Sequence, residues 1–321
     1  MTAQKIAVLD LGTNTFNLLL VTITPSAYYI FRNEKIPVKI GKDGINEGII
    51  TEEAQKRALN ALRIYKEIID QENISLVYGY ATSAFRDARN GESLRNIIAE
   101  NTGLQINIIS GDIEAEFIYK GVKTAFDIGG NPSLIMDIGG GSVEFIICNR
   151  DQIFWKKSYN IGAQRLLDWF HFTDPIPTVE IEKLDAFFEK ELVLLKEQIA
   201  IHKPTNLIGS SGTFDTLSEI YQHKINRFLK GDETELPLTI NGFEEIFKEI
   251  ISKDKKGRME IPGMIEMRVD MIVVAACLVQ YIIDIAHFDH IRVSSHSLKE
   301  GMIYVIQQEM LQQNKIRATG N

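Results

Sequence analysis

Two short stretches of this chain combine residue types suited to holding phosphate. One lies in IAVLDLGTNTFNLLLVTI, from Ile6, and the other in SLIMDIGGGSVEFIIC, from Ser133. Each sets an acid at the end of an apolar strand, then glycine, then small residues closing on a hydroxyl, then a second apolar strand. In such a turn successive N–H groups can face one concavity, and glycine lets an anion approach the backbone. The candidates are Gly12, Thr13, Asn14 and Thr15 in the first loop, and Gly139, Gly140, Gly141 and Ser142 in the second. The strand-end carboxylates, Asp10 and Asp137, can hold Mg²⁺ directly or through water. Glycine hairpins are also ordinary structural turns, so one such loop carries little weight. The pair carries more.

The elements that must position these loops also occur twice. Asp10 and Asp137 lie 127 positions apart, as do Gly12 and Gly139, and Thr15 and Ser142. A third strand follows in each half, at Tyr28 and at Gln152. Apolar residues at helical spacing then predict a helix over 51–70, opened by Thr51, and another over 179–201, opened by Thr178. LVYGYATSA from Leu76 and NLIGSSGT from Asn206 are strands running into small residues. Each half closes with strand, small-residue loop and helix, from Ile106 and from Ile291. Matched stations in the same order predict a duplicated mixed α/β domain. The boundary is expected between Thr124 and Pro132, giving domains of 1–124 and 125–321 with the last helix available to pack back on the first. The two loops are then expected to face each other across an interdomain cleft.

Composition narrows the function classes. At 321 residues the chain has room for two domains, and 45% hydrophobic with 24% charged residues is a globular balance. Its 35 basic and 43 acidic side chains give a net charge of −8, unlike a protein that grips long nucleic acid through a broad basic face. Cys148 and Cys277 sit in apolar runs and are expected to be buried and reduced, with no spacing for a cysteine-based zinc site. The N-terminus enters a strand pattern without an export signal, so the cytoplasm is the expected compartment. Met271 to Ala286, the most apolar segment, is too short to span a bilayer and reads as a buried helix.

The paired loops resemble those of the actin and sugar-kinase superfamily, whose domains are ribonuclease H-like. Within it the chain is similar to the exopolyphosphatase and guanosine pentaphosphate phosphatase family. The similarity rests on AVLDLGTNTFNLLL, GYATSAFRDARNG (Tyr80 to Gly91), ISGDIEAEFIYKGV (Ile109 to Val122), IMDIGGGSVEF, GSSGT (Gly209 to Thr213), EIPGMIEMRVDMI (Glu260 to Ile272) and SLKEGMI, in the family's order.

The resemblance implies roles residue by residue. Glu114 matches the glutamate that activates the attacking water; its position early in a helix also suits an acid that merely complements the dipole. Arg86 matches the arginine of the T-x-x-x-R segment and would bind phosphate oxygens, or pair with Asp87 at the surface. Arg268 is a second candidate for stabilising charge, or for capping the apolar helix that it precedes. Asp137 and Glu144 match the family's acidic pair, with Asp10 in the same ring, and imply Mg²⁺, with K⁺ as a candidate activator; strand alternation alone would leave Glu144 exposed. Ser211 and Gly212, in GSSGT, join the phosphate-binding set. The implied reaction is hydrolysis of the terminal phosphoryl group of polyphosphate, or of guanosine pentaphosphate. A homodimer is also implied, with no nucleic-acid or membrane partner.

Departures from the family pattern are Val143 for a threonine, Ile113 for an acid, Lys39 for an arginine, and Ser295, His296 and Lys299 near the C-terminus. Longer members carry a further C-terminal domain; a two-domain form without it is the expectation here, and the tail QQNKIRATGN is expected to fray. His287, His290 and His296 read as helix-end and turn residues, and the run Lys253 to Arg258 reads as a solvated loop. Two rivals remain: a kinase of the same superfamily, and a non-catalytic sensor of such phosphate compounds.

Overall fold

The computed structural model describes residues 3–170, 173–229, 231 and 233–319, with side chains through residue 313. Contacts gather the chain into two units, residues 1–121 with 298–321, and residues 122–297.

Unit 1 is built on a sheet of five strands, β1 (Gln4–Leu11), β2 (Phe16–Ile23), β3 (Tyr28–Ile36), β4 (Val77–Ala81) and β5 (Ile106–Ile108), in the order β3-β2-β1-β4-β5. The first three pair antiparallel, and β1, β4 and β5 run parallel. Burial from Ile6 to Leu11 is continuous because both faces of the sheet are covered. On one face Ala7, Leu9, Leu11, Phe16, Leu18 and Leu20 pack with Ala54, Ala58, Leu62 and Tyr65 of α1 (Glu52–Gln71) and Leu94 and Ile98 of α3 (Gly91–Thr102). Thr51 caps α1, its hydroxyl accepting from the Ala54 N–H at 3.3 Å.

On the other face Ile6, Val8, Leu19, Val21 and Ile23 meet Phe117 of α4 (Gly111–Ala125) and Met302, Ile303, Ile306 and Met310 of the last helix, α12 (Leu298–Thr319). Burying Met302, Ile303 and Ile306, all at 0% exposure, contributes about 1.5–3 kcal/mol each. Gly301 permits this, since a Cβ there would stand 1.8 Å from the Phe117 carbonyl oxygen. The C-terminal helix therefore completes the first unit.

Unit 2 repeats the plan with β6 (Ser133–Ile138), β7 (Val143–Cys148), β8 (Ile153–Tyr159), β9 (Asn206–Ser210), β10 (Glu235–Leu236) and β11 (His290–Ser294). Its order is β10-β11-β9-β6-β7-β8. Read from the far edge this is β8-β7-β6-β9-β11, matching unit 1 strand for strand with β10 added. Helices α5 (Ala163–Trp169), α6 (Thr178–Glu191), α7 (Val193–His202), α8 (Ser211–Ile225), α9 (Ile240–Ser252), α10 (Lys255–Met259) and α11 (Met271–Ile285) surround it. Leu134, Met136 and Ile138 share a core with Leu184, Phe188, Phe214 and the buried α11. Cys148 and Cys277 are both buried and free. Among the described residues no helix is long and apolar enough to cross a membrane.

Some expectations need correction. The helix expected over 179–201 breaks at Leu192, whose φ of −102° and ψ of 19° leave α-geometry. The run from Lys253 is solvated at Lys255 and Lys256 as expected, but it forms α10 and not a loop, and Arg258 is 2% exposed and grips Asp174 through two bonds of 2.6 and 3.0 Å. Its Nε also donates to the Val269 carbonyl, so that arginine is an internal strut. His290 opens β11 and does not lie in a turn. The segment expected to fray is helical through Thr319, and residues 320 and 321 lie outside the described residues.

Candidate active site

In both units the hairpin after the first strand closes in the same way. Gly12 N donates to Thr15 O at 3.1 Å, and Gly139 N to Ser142 O at 3.0 Å. The strand register puts Asn17 opposite Asp10 and Glu144 opposite Asp137, so each acid shares a sheet face with its cross-strand partner.

The second loop has its carbonyls tied down by the start of α5. Ala163 N donates to Gly139 O at 2.9 Å, Gln164 N to Gly140 O at 2.9 Å and Gly162 N to Gly141 O at 3.3 Å. Arg165, buried at 5% exposure, adds an Nε bond to Gly141 O at 2.8 Å. With the peptide oxygens fixed on that side, the intervening N–H groups face the other way, as an anion-binding loop requires. Gly162 has to be glycine, since a Cβ would stand 2.5 Å from backbone atoms of Gly140 and Gly141. The first loop is held by an irregular segment, where Lys39 N donates to Asn14 O at 2.8 Å and Gly41 N to Thr13 O at 3.3 Å.

Unit 1 brings together Thr13, Arg86 and Glu114 through one chain of contacts. The hydroxyls of Thr13 and Ser83 are 3.1 Å apart and buried. Ser83 begins α2 (Ser83–Asp87), which carries Arg86. The Arg86 Nη1 donates to Glu114 Oε2 at 2.8 Å and to Ile109 O at 3.2 Å, while its Nε stands 3.6 Å from Asp87 Oδ1. Glu114 is 6% exposed, in the first turn of α4, with its N–H bonded to Ser110 O. Pairing with arginine offsets part of the cost of burying that charge. Asp10, at 9% exposure, accepts from Asn17 Nδ2 through Oδ2 at 2.9 Å.

In unit 2 Asp137 Oδ2 accepts from Ser210, Ser211 and Ser297. Glu144 is not an exposed strand residue; at 1% exposure it accepts from Ser158 Oγ at 2.6 Å. The hydroxyl of Ser211 is committed to Asp137, and Ser211 holds a left-handed φ of 68°. Arg268 does not cap α11, which starts at Met271 behind Asp270; its guanidinium lies directly over Gly212, where a Cβ would fall 1.7 Å from it. Its Nε is enclosed without a hydrogen-bond partner among the described residues. Burial pushes this guanidinium down from its usual pKa, opposed by Asp215 and Asp137.

Among the described residues, no three His, Cys, Asp or Glu side chains are grouped to cage a metal. Mg²⁺ commonly takes one or two carboxylates and fills its other positions with water and substrate phosphate. The oxygen donors at Asp137 fit that mode. Sequence reasoning missed Ser83, Arg165, Ser210 and Ser297, whose importance comes from where distant segments bring them. The departures are absorbed locally: Val143 is buried, Ile113 is exposed, His296 Nδ1 lies 2.8 Å from Thr124 Oγ1, and Ser295 Oγ donates to Thr234 O.

This strand order, laid down twice with a glycine hairpin after the first strand of each sheet, defines a member of the actin-like ATPase superfamily. The family model of the Ppx/GppA phosphatase family matches residues 19–310. The chain belongs to that family, and its class of chemistry is that of a phosphatase hydrolase. The crystal structure of an exopolyphosphatase from Cytophaga hutchinsonii matches with a TM-score of 0.91 and 41% identity, over 95% of this chain and 98% of that one. The Ppx/GppA family member of Aquifex aeolicus, at 23% identity, shares the fold with a TM-score of 0.79 over 97% of this chain and 99% of that one. A bifunctional 3-dehydroquinate synthase/phosphatase from Fusobacterium nucleatum is 30% identical over 314 residues, 92% of this chain. The chain spans 46% of the length of that relative.

Proposed function

We propose that this chain is an exopolyphosphatase, removing the terminal phosphoryl group of inorganic polyphosphate as orthophosphate. The observation that carries the reading is the buried Glu114 carboxylate paired at 2.8 Å with Arg86, on elements tied through Ser83 to the Thr13 loop. Such a pair suits the chemistry. Glu114 takes the proton from the attacking water, and Arg86 faces the charge that builds on the transferred group. Water adds to phosphorus, the anhydride bond breaks toward the shortened chain, and the proton leaves with the carboxylate. The amides of Gly140, Gly141 and Ser142 and the Arg268 guanidinium over Gly212 are the phosphate-holding groups of unit 2. Asp137 and Glu144 are the candidate Mg²⁺ ligands of unit 2, and Asp10 is the candidate of unit 1. Bound Mg²⁺ supplies neutralisation of phosphate charge.

The name of the Cytophaga protein favours polyphosphate. Orthophosphate release from polyphosphate and from guanosine pentaphosphate, compared at equal enzyme, decides between the two substrates. Faster release from the nucleotide overturns the assignment. Glu114→Gln is expected to lose about 10²–10⁴-fold in turnover; unchanged turnover would falsify the role of this carboxylate. Chelation of Mg²⁺ and exchange of K⁺ for Na⁺ test the ions.

A further inference from the structure

We propose that Ser297 is a positioning residue that orients Asp137 for its metal. This rests on the reading of Asp137 as a Mg²⁺ ligand. Ser297 Oγ donates to Asp137 Oδ2 at 2.5 Å, beside Ser210 at 2.6 Å and Ser211 at 2.9 Å. The three donors come from separate causes. Ser210 is the residue paired with Asp137 across the β6–β9 ladder. Ser211 reaches the carboxylate from a left-handed backbone with φ 68°, a conformation unfavourable for a residue with a Cβ. Ser297 arrives from 160 positions downstream, just beyond β11.

Each hydroxyl has one proton to give. The Ser211 and Ser297 oxygens are 3.3 Å apart, so with both protons directed to Asp137 neither bonds the other. A carboxylate oxygen offers about two good acceptor directions, and three donors saturate it. Oδ2 is therefore the anchored oxygen, and Oδ1 is the one left for a ligand. Fixing a ligating carboxylate through its other oxygen is the usual work of outer hydrogen bonds at metal sites. Asp137 at 5% exposure and Ser297 at 8% are shielded from water that would replace such a bond.

The test is Mn²⁺ titration calorimetry of the full chain with inorganic phosphate present, paired with the Mg²⁺ dependence of phosphate release. Ser297→Ala is expected to weaken Mn²⁺ binding about tenfold and to raise half-saturating Mg²⁺ by a similar factor. Turnover at saturating Mg²⁺ should stay within about twofold of wild type. Ser297→Thr, which keeps the hydroxyl, should recover most of the affinity. Ser210→Ala should move in the same direction as Ser297→Ala, so the result does not hang on one variant. If Ser297→Ala and Ser210→Ala bind Mn²⁺ normally while Asp137→Asn does not, the positioning role fails and the metal reading stands. If Asp137→Asn itself binds normally, the metal reading fails and the positioning role goes with it.

Discussion

The two units share a strand order and a closed glycine hairpin, yet surround their buried acids differently. In unit 1 Glu114 faces the Arg86 guanidinium. In unit 2 Asp137 is wrapped by serine hydroxyls and Glu144 by Ser158. A guanidinium beside a carboxylate places both charges needed for phosphoryl transfer in one spot. Hydroxyls hydrogen-bond a carboxylate without adding charge of their own. A duplicated frame thus carries two kinds of polar surroundings, an arginine pair in one copy and a hydroxyl cluster in the other. The hairpin supports differ too: α5 braces the second loop through three consecutive amides, whereas the first loop hangs on an irregular segment.

The largest test of this contrast is Arg86→Ala, expected to lower phosphate release by about 10²–10³-fold. Arg86→Lys should recover only part of it, since lysine keeps the charge but has no Nε to stand by Asp87, 3.6 Å away. Recovery to wild-type rate by lysine would show that charge alone matters. Next in size is Ile306→Ala, which opens a cavity under the unit 1 sheet and should cost about 2–5 kcal/mol in denaturant unfolding. A smaller difference should separate the loop supports. Gly162→Ala drives a Cβ against the backbone of Gly140 and Gly141 at 2.5 Å and should cost about 1–3 kcal/mol. At Gly41 the nearest atoms belong to side chains, the Thr13 methyl at 2.6 Å and an Ile45 methyl at 3.0 Å, and not to backbone, so Gly41→Ala should cost less. Equal costs would erase the distinction between the braces.

The smallest effect concerns the thiols. Burial pushes Cys148 and Cys277 up to about 12, so a thiolate-directed reagent at mildly alkaline pH should label neither until the chain unfolds. Unfolded thiols ionise near about 8.5. Their contribution to stability is therefore full below that pH and lost as pH rises toward the native values. Rapid labelling of the folded chain would contradict this.

The fold was readable because duplication wrote the same apolar strands and glycine turns twice, and each copy supports the other. Glu114 and Arg86 were readable as motif members, but their pairing was not: 28 positions separate them and only the fold joins them. Serines were opaque for a sharper reason. Hydroxyls occur throughout the chain, and although Ser297 opens the SLKEGMI motif, its partner Asp137 lies 160 positions away and is met only once β11 carries the chain beside it. Arg258 misled because a basic run usually marks solvent; its partner Asp174 lies 84 positions away.

Unit 1 is assembled from the first and last stretches of the chain, with all of unit 2 encoded between them. During synthesis the sheet face of Ile6, Val8, Leu19 and Val21 must wait for Met302, Ile303 and Ile306. At ribosomal speeds that interval is on the order of ten seconds. Throughout it the nascent protein carries a strand layer whose second side is covered only in part, by Phe117 of α4, and the remaining greasy ground is where a holding chaperone would act.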